Sequence, residues 1–194
     1  MIFRILVLLL FPAFAYANPE ICDEIDPNKN PLKTIEICTE LLTTPTLSTL
    51  ERAEALENRG IAYRESGELE KSIEDLGASV ALSNDTAAMR MLAWTYRTAG
   101  RFEDAENLYS RILAEDKHEQ GWLSRCVVRQ DLRKYEEALT DCNEALRLNS
   151  ENLDTLFFTA HVLSILERPT AALPLTQRAM MLAPNDVRHL VENV

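Results

Sequence analysis

The chain has 194 residues, with 20 basic and 31 acidic side chains, and its formal net charge at pH 7 is −11. A chain this acidic lacks the basic patch that phosphates require, which argues against nucleic acid as a partner and disfavours docking on anionic lipid. The length suffices for one domain with a continuous core.

The first residues have the layout of a secretory signal peptide. Arg4 precedes an apolar run, Ile5 to Ala15, and Ala15-Tyr16-Ala17 supplies an A-x-A cleavage site. The run of about 11 residues is shorter than the roughly 20 that a membrane span needs. We therefore expect residues 1–17 to be removed and the exported chain to begin at Asn18, without membrane insertion. An uncleaved anchor or a buried N-terminal helix is the alternative.

Residues 18–52 read as a polar, turn-rich segment that ends in a capping helix. Residues 32–42 predict this helix, with an apolar face made of Leu32, Ile35, Cys38, Leu41 and Leu42. A Thr- and Pro-containing turn then ends it. Ser48 and Glu51 have the spacing of a capping box for the next helix, which runs to about Ser66.

From residue 53 onward, one pattern recurs at a nearly constant interval. Three columns of mostly small side chains keep this register: Gly60, Ala93, Cys126 and Ala160; Ser72, Ala105, Ala138 and Ala172; Ser79, Ile112, Ala145 and Ala179. A period of roughly 34 residues with small side chains in fixed columns indicates a solenoid of helix pairs. Four units follow from this register, at 53–85, 86–118, 119–152 and 153–186, and residues 187–194 are predicted to form a C-terminal cap.

Glycines and prolines mark the ends of the helices inside these units. Gly67 and Gly100 suit a left-handed cap at the end of a first helix. In the last unit Pro169 suits the start of the second helix, whereas Pro174 lies inside it and is expected to remove a hydrogen bond or to kink it.

The four cysteines form two pairs with the same spacing. Cys126 and Cys142 are equidistant from the turn at Arg133-Lys134, so they lie level on antiparallel helices. Cys22 and Cys38 are separated by the same interval. In an exported chain an even number of cysteines favours disulfides, and we expect these two pairings. Buried free thiols are the alternative, and a four-cysteine metal site is disfavoured because no C-x-x-C pair occurs.

The repeated residues resemble the tetratricopeptide repeat (TPR) family over about 53–186. The matching residues are Gly60-Ile61-Ala62-Tyr63 with Gly67, Ala93-Trp94-Thr95-Tyr96 with Gly100-Arg101-Phe102, Tyr135 to Leu139 with Ala145, and Ala160, Ala172, Ala179 and Pro184-Asn185. Departures are Arg129 and Leu163 in the Tyr63 column, and Arg133 and Glu167 in the Gly67 column. The resemblance implies an all-α fold, a right-handed solenoid of helix-turn-helix repeats with N- and C-terminal capping helices. The cysteine pairs are similar to those of exported bacterial TPR proteins.

The sequence contains no catalytic constellation. The histidines, at 118, 161 and 189, are far apart, and neither H-E-x-x-H nor G-x-S-x-G nor a glycine-rich phosphate loop occurs. We therefore expect no enzymatic activity, no cofactor and no metal.

A ligand is expected on the concave face, which the first helices line in TPR-like arrays. Side chains spaced four and then three residues apart share a helix face. The candidate binding residues are Arg64, Arg90, Trp94, Arg97, Leu123, Val127, Phe157 and His161. The alternative is that these side chains pack against neighbouring first helices. The family's clamp for chaperone C-terminal carboxylates is not expected, because Glu57, Ile61 and Met91 stand near its Lys, Asn and Arg positions.

The sequence thus predicts a non-catalytic scaffold or adaptor that binds a protein or peptide through the concave face. The resemblance implies the cell envelope, and within it the periplasm of a bacterium. A chaperone-like holder of exported polypeptides and an accessory subunit of an envelope enzyme or secretion complex are the alternatives. The sequence leaves the partner and the oligomeric state open.

Overall fold

The computed structural model describes Cys22 and residues 24–185, so the predicted signal peptide and the predicted cap at 187–194 lie outside the described residues. Over residues 24–185 the chain forms nine α-helices and no strand. They are α1 (Pro31–Leu42), α2 (Thr49–Glu65), α3 (Leu69–Ser83), α4 (Thr86–Thr98), α5 (Phe102–Glu115), α6 (Glu119–Asp131), α7 (Tyr135–Leu148), α8 (Leu153–Ile165) and α9 (Pro169–Leu182).

The helices stack in chain order, which is the arrangement of a solenoid. Each helix from α1 to α8 packs against the one that follows it, and the first helices of neighbouring pairs also touch, α2 with α4 and α6 with α8. The predicted all-α solenoid of helix pairs is therefore confirmed. None of the helices in residues 24–185 combines the length and the apolar character that spanning a bilayer requires.

Small residues let the two helices of a pair approach closely. A Cβ added to Gly60 would lie 2.7 Å from Cγ of Leu76 on α3, so only glycine fits there without a shift. The equivalent Ala93 and Cys126 are fully buried, as the column predicted. The repeat period therefore marks the contact between paired helices.

Local signals fix where the helices begin and end. The Ser48 Oγ accepts from the Glu51 amide at 3.2 Å, and the Ser48 amide donates to Glu51 Oε2 at 2.7 Å, so the predicted capping box is present. Gly67 and Gly100 end first helices with φ of 79° and 74°. Arg133 and Glu167 occupy the same position with φ of 59° and 56°, a backbone conformation that is strained for residues with a Cβ.

The two end helices differ in how well the sequence describes them. The expected apolar face of α1 needs one correction: Leu32 is 76% exposed, because α1 begins at Pro31 and presents Thr34, Cys38 and Leu41 to the core instead. Pro174 lies inside α9, as expected, and the helix continues past it to Leu182. Its missing N–H removes one bond near the helix start, and the following turns continue the helix.

Four pairs of residues with a sequence separation of 16 cross-link the chain, and three of them connect the two helices of a unit. The predicted disulfides are both present, Cys22–Cys38 and Cys126–Cys142, with Cα–Cα distances of 5.3 and 5.4 Å. Two buried ion pairs have the same separation. Arg59 donates from Nε to Asp75 Oδ2 at 2.6 Å in the first unit, and Arg125 donates from Nε to Asp141 Oδ2 at 2.8 Å in the third.

Candidate functional site

The first helices α4, α6 and α8 enclose an open cavity of about 410 Å³, which we call the central cavity. On α4 the side chain of Asp85 caps the helix by accepting from the Ala87 and Ala88 amides at 2.7 and 3.0 Å. The cavity is lined by Arg90, Met91, Trp94 and Arg97 of α4, Tyr109 of α5, Gln120, Leu123, Ser124 and Val127 of α6, and Asp154 and Phe158 of α8.

Trp94 presents a large apolar surface to this cavity. Its side chain remains 46% exposed, and the Arg64 guanidinium carbon lies 3.9 Å from the ring centroid. Arg64 is itself buried, and its Nη2 donates to Glu65 Oε1 at 2.9 Å. Arg64 therefore packs against the indole ring and does not line the central cavity.

Two arginines flank Trp94 with different partners. Arg97 donates from Nε to Asp131 Oδ2 of α6 at 2.6 Å, an ion pair that stays partly exposed. The Nε of Arg90 is buried and has no hydrogen-bond partner among the described residues. A buried donor without a partner costs free energy, which a ligand carbonyl or carboxylate beside it would offset.

A smaller cavity of about 220 Å³ continues the groove toward α8, and we call it the aromatic cavity. Arg97, Val127 and Phe158 line both cavities. Phe157 meets Phe158 edge to face at 5.3 Å and stacks on His161 with the ring centroids 6.3 Å apart. His161 Nδ1 lies 3.0 Å from Gln130 Oε1, and Gln130 Nε2 donates to the disulfide sulfur of Cys126 at 3.4 Å.

A third cavity of about 300 Å³ lies beside α2, and we call it the acidic cavity. It is lined by Leu50, Ala53, Glu54, Glu57, Ser79, Ser83 and Asp85. Burial, and then the charges of Asp85 and Glu54, raise the pKa of Glu57, and the charge of Arg90 only partly opposes them. The acidic cavity is thus negative, whereas the central cavity next to it contains two arginines.

Residues 86–114, which include α4 with Arg90, Trp94 and Arg97, match the family model described as Tetratricopeptide repeat. The chain thus contains a tetratricopeptide repeat, and the resemblance to the TPR family is confirmed. No curated protein sequence matches it.

Solved TPR structures share the whole solenoid at low sequence identity. MamA from Desulfovibrio magneticus RS-1 has a TM-score of 0.75 at 12% identity, over 87% of this chain and 96% of that one. YrrB, described as a TPR protein with an unusual peptide-binding site, has a TM-score of 0.74 at 11% identity, over 89% of this chain and 88% of that one. MamA AMB-1 has a TM-score of 0.71 at 17% identity, over 87% and 96% of the two chains. At these identities the similarity establishes the fold.

The TPR groove brings most of the sequence-predicted site residues together. Arg90, Trp94, Arg97, Leu123 and Val127 line the central cavity, and Arg97, Val127, Phe157 and His161 line the aromatic cavity. Leu123 contributes little surface, since it is only 4% exposed. Arg64 is the one that both cavities exclude.

Sequence reasoning missed other lining residues, above all Tyr109, Phe158 and Asp154. Tyr109 belongs to a second helix and stands in the column of buried Leu76, so its position reads as core. Burial raises the pKa of Tyr109, and its hydrogen bond with Ser124 partly opposes that. The aromatic pair Phe157-Phe158 was the available signal for Phe158, because two adjacent aromatics on one helix rarely both face the core.

The lining of the two cavities could contact a ligand in several ways. It offers apolar and aromatic walls, two arginines and several side-chain amides and hydroxyls. Within residues 24–185 and Cys22, no group of three or more His, Cys, Asp or Glu is placed to hold a metal ion.

Proposed function

We propose that this TPR protein is a non-catalytic scaffold that binds an extended protein or peptide segment along its concave face. The observation that carries the proposal is Trp94, nearly half exposed at the wall of a 410 Å³ cavity and flanked by two arginines. Tryptophan and arginine dominate binding hot spots, because one buries a large flat surface and the other makes several hydrogen bonds.

The shape of the groove favours a chain over a compact small molecule. The central and aromatic cavities share Arg97, Val127 and Phe158, so an occupant can pass from one cavity into the other. Apolar walls with scattered donors suit alternating side chains and backbone groups of an extended segment. The peptide-binding site in the description of YrrB, a TPR protein of similar fold, is consistent with this use.

We place the protein in the cell envelope, and within it the periplasm. The two disulfides support this, since such bonds persist in oxidising compartments. The N-terminal sequence adds the expected cleavage after Ala17. N-terminal sequencing of protein from the periplasmic fraction should begin at Asn18. An intact Met1 form in the membrane fraction contradicts this part of the proposal.

Binding can be tested with peptides selected from a random displayed library on the wild-type protein. Trp94→Ala removes the proposed anchor, and Trp122→Ala is the matched control, because Trp122 lines none of the three cavities. Of the roughly 250 Å² that a tryptophan can bury, the exposed 46% is about 115 Å², which at about 25 cal/mol per Å² gives about 3 kcal/mol. We expect Trp94→Ala to weaken binding about 100-fold.

Fluorescence anisotropy of the labelled peptides gives the affinities, and circular dichroism checks that both variants fold. Equal affinities for the wild type and Trp94→Ala contradict the groove proposal. The selected sequences also separate the alternatives. One consensus motif indicates an adaptor for a defined partner, and many unrelated apolar sequences indicate a chaperone-like holder.

A further inference from the structure

The acidic cavity lies next to the groove anchors and has no part in the function proposed above. The cavity has a volume of about 300 Å³. It is lined by Glu54 and Glu57 of α2, by Ser79 and Ser83 of α3, and by the capping residue Asp85. A cluster of carboxylates alone does not define a site, because such clusters are common on solvated helix faces.

An unpartnered buried hydroxyl gives this cavity a second feature. Ser79 is 1% exposed, and its Oγ has no hydrogen-bond partner among the described residues. Ser83 Oγ donates to the Ser79 carbonyl and leaves the Ser79 hydroxyl unused. Ala145 and Ala179 occupy the same column in later units, so packing alone does not call for a hydroxyl. A buried polar group without a partner is costly, and a ligand donor would satisfy it.

The electrostatic balance in the cavity selects the sign of the ligand. Asp85 already accepts two backbone N–H groups of α4, yet its charge still acts on Glu57. Arg90 is the cation that acts on Glu57 from α4, and burial together with Asp85 and Glu54 outweighs it. The cavity therefore favours an added positive charge. An ammonium or guanidinium group brings that charge together with N–H groups, from which the Ser79 hydroxyl oxygen can accept a hydrogen bond.

We propose that the acidic cavity binds the basic side chain, lysine or arginine, of the segment held in the groove. The ammonium or guanidinium group donates to the Glu57 carboxylate and to Ser79 Oγ. The inference rests on the proposed function, since it names the chemistry of the same partner.

Arg90 links the two sites, because it lines the central cavity and its charge acts on Glu57 of the acidic cavity. Glu57 on α2 and Arg90 on α4 hold equivalent positions of neighbouring first helices. Packed helices are about 9 Å apart and an extended chain rises about 3.3 Å per residue, so the two contacts are about three residues apart. The partner motif is therefore a basic residue about three positions from an aromatic or large apolar one.

The test uses two blocked tetrapeptides, one with lysine and phenylalanine at its two ends and one with norleucine in place of the lysine. Norleucine keeps the chain length and removes the charge. Both are titrated into the full isotope-labelled protein, followed by the Ser79 amide and the Trp94 indole N–H in NMR spectra. Glu57→Gln and Ser79→Ala alter the cavity, and Glu137→Gln, on the exposed surface of α7, is the matched control for lost charge.

We expect the lysine peptide to bind about tenfold more tightly than the norleucine peptide. Glu57→Gln should abolish that ratio, Ser79→Ala should reduce it, and Glu137→Gln should keep it. The proposal is overturned if the two peptides bind equally, if neither shifts the Ser79 amide, or if Glu57→Gln and Glu137→Gln behave alike. A shift of the Trp94 indole without any lysine preference overturns the cation site and leaves the groove function standing. A lysine preference without an indole shift supports the cation site and contradicts the groove function.

Discussion

The buried carboxylate of Asp141 is the clearest place to perturb this solenoid. Asp141 is 1% exposed and accepts from Arg125 Nε and Nη2 and from Arg129 Nη1, all at 2.8 Å. The substitution Asp141→Leu removes the carboxylate that accepts these three hydrogen bonds and keeps the branched shape of the side chain. Arg129 retains its ion pair with Glu106 at 2.9 Å, whereas Arg125 retains no carboxylate among the described residues and keeps the Ser110 hydroxyl at 3.0 Å and the Trp122 ring at 5.1 Å.

Breaking one side of a buried pair costs about 3 to 5 kcal/mol of unfolding free energy, because the remaining charge is buried without compensation. In the second unit, apolar side chains occupy the positions equivalent to this ion pair. There, one repeat earlier, Leu92 and Leu108 occupy the places of Arg125 and Asp141, and both are 5% exposed. The double variant Arg125→Leu with Asp141→Leu should therefore lie within about 1 to 2 kcal/mol of the wild type.

Urea unfolding of the oxidised protein, followed by helical circular dichroism, measures both variants. Glu136→Leu is the control, because its pair with Arg168 is exposed and is worth at most about 1 kcal/mol. The reasoning fails if Asp141→Leu loses less than about 1 kcal/mol. It also fails if the double variant is no more stable than the single one.

Three further substitutions test single features. Ser79→Ala should raise the unfolding free energy by about 1 kcal/mol, and with it the urea midpoint, because a buried hydroxyl without a partner is removed. A loss of stability would show that the hydroxyl has a hydrogen-bond partner. Glu57→Gln should stabilise the protein at neutral pH. Burial, and then the charges of Asp85 and Glu54, raise the pKa of Glu57 in the folded state. The wild-type protein therefore loses stability as the pH rises through that pKa, and the glutamine variant does not. In thermal melts that gain should disappear below about pH 4, where the carboxyl is protonated in both states, and a gain that is independent of pH counts against the cause given. Arg133→Gly should raise the melting temperature. The left-handed backbone at Arg133 costs about 1 to 2 kcal/mol, which exceeds the entropy cost of a glycine, about 0.5 to 1 kcal/mol. An unchanged or lower melting temperature argues against strain at this position.

The sequence predicts the repeating part of the structure better than the site. Gly60 and Ala93 mark the close helix contacts because packing there depends on side-chain size alone. The common sequence separation of 16 predicted both disulfides, and the same rule applied to charges would have found Arg59–Asp75 and Arg125–Asp141. These features depend on one helix pair, whose geometry the period determines.

The cavities depend on more than one pair. Tyr109 lines the groove from a second helix, and Arg64 packs against the ring of Trp94. Neither position can be predicted from the face of a single helix. The acidic cavity combines α2, the end of α3 and the turn before α4. Its unpaired Ser79 hydroxyl is visible only once all the neighbours are placed.

The cross-links between paired helices are unevenly distributed between the two walls of the groove. The pair α6–α7 is joined by a disulfide and a buried ion pair, and α2–α3 by a buried ion pair. Among the described residues no disulfide or ion pair joins α4 to α5, where leucines take those positions. Apolar contacts resist sliding less than a covalent bond does, so we expect the helix pair that carries Val127 to be more rigid than the pair that carries Trp94.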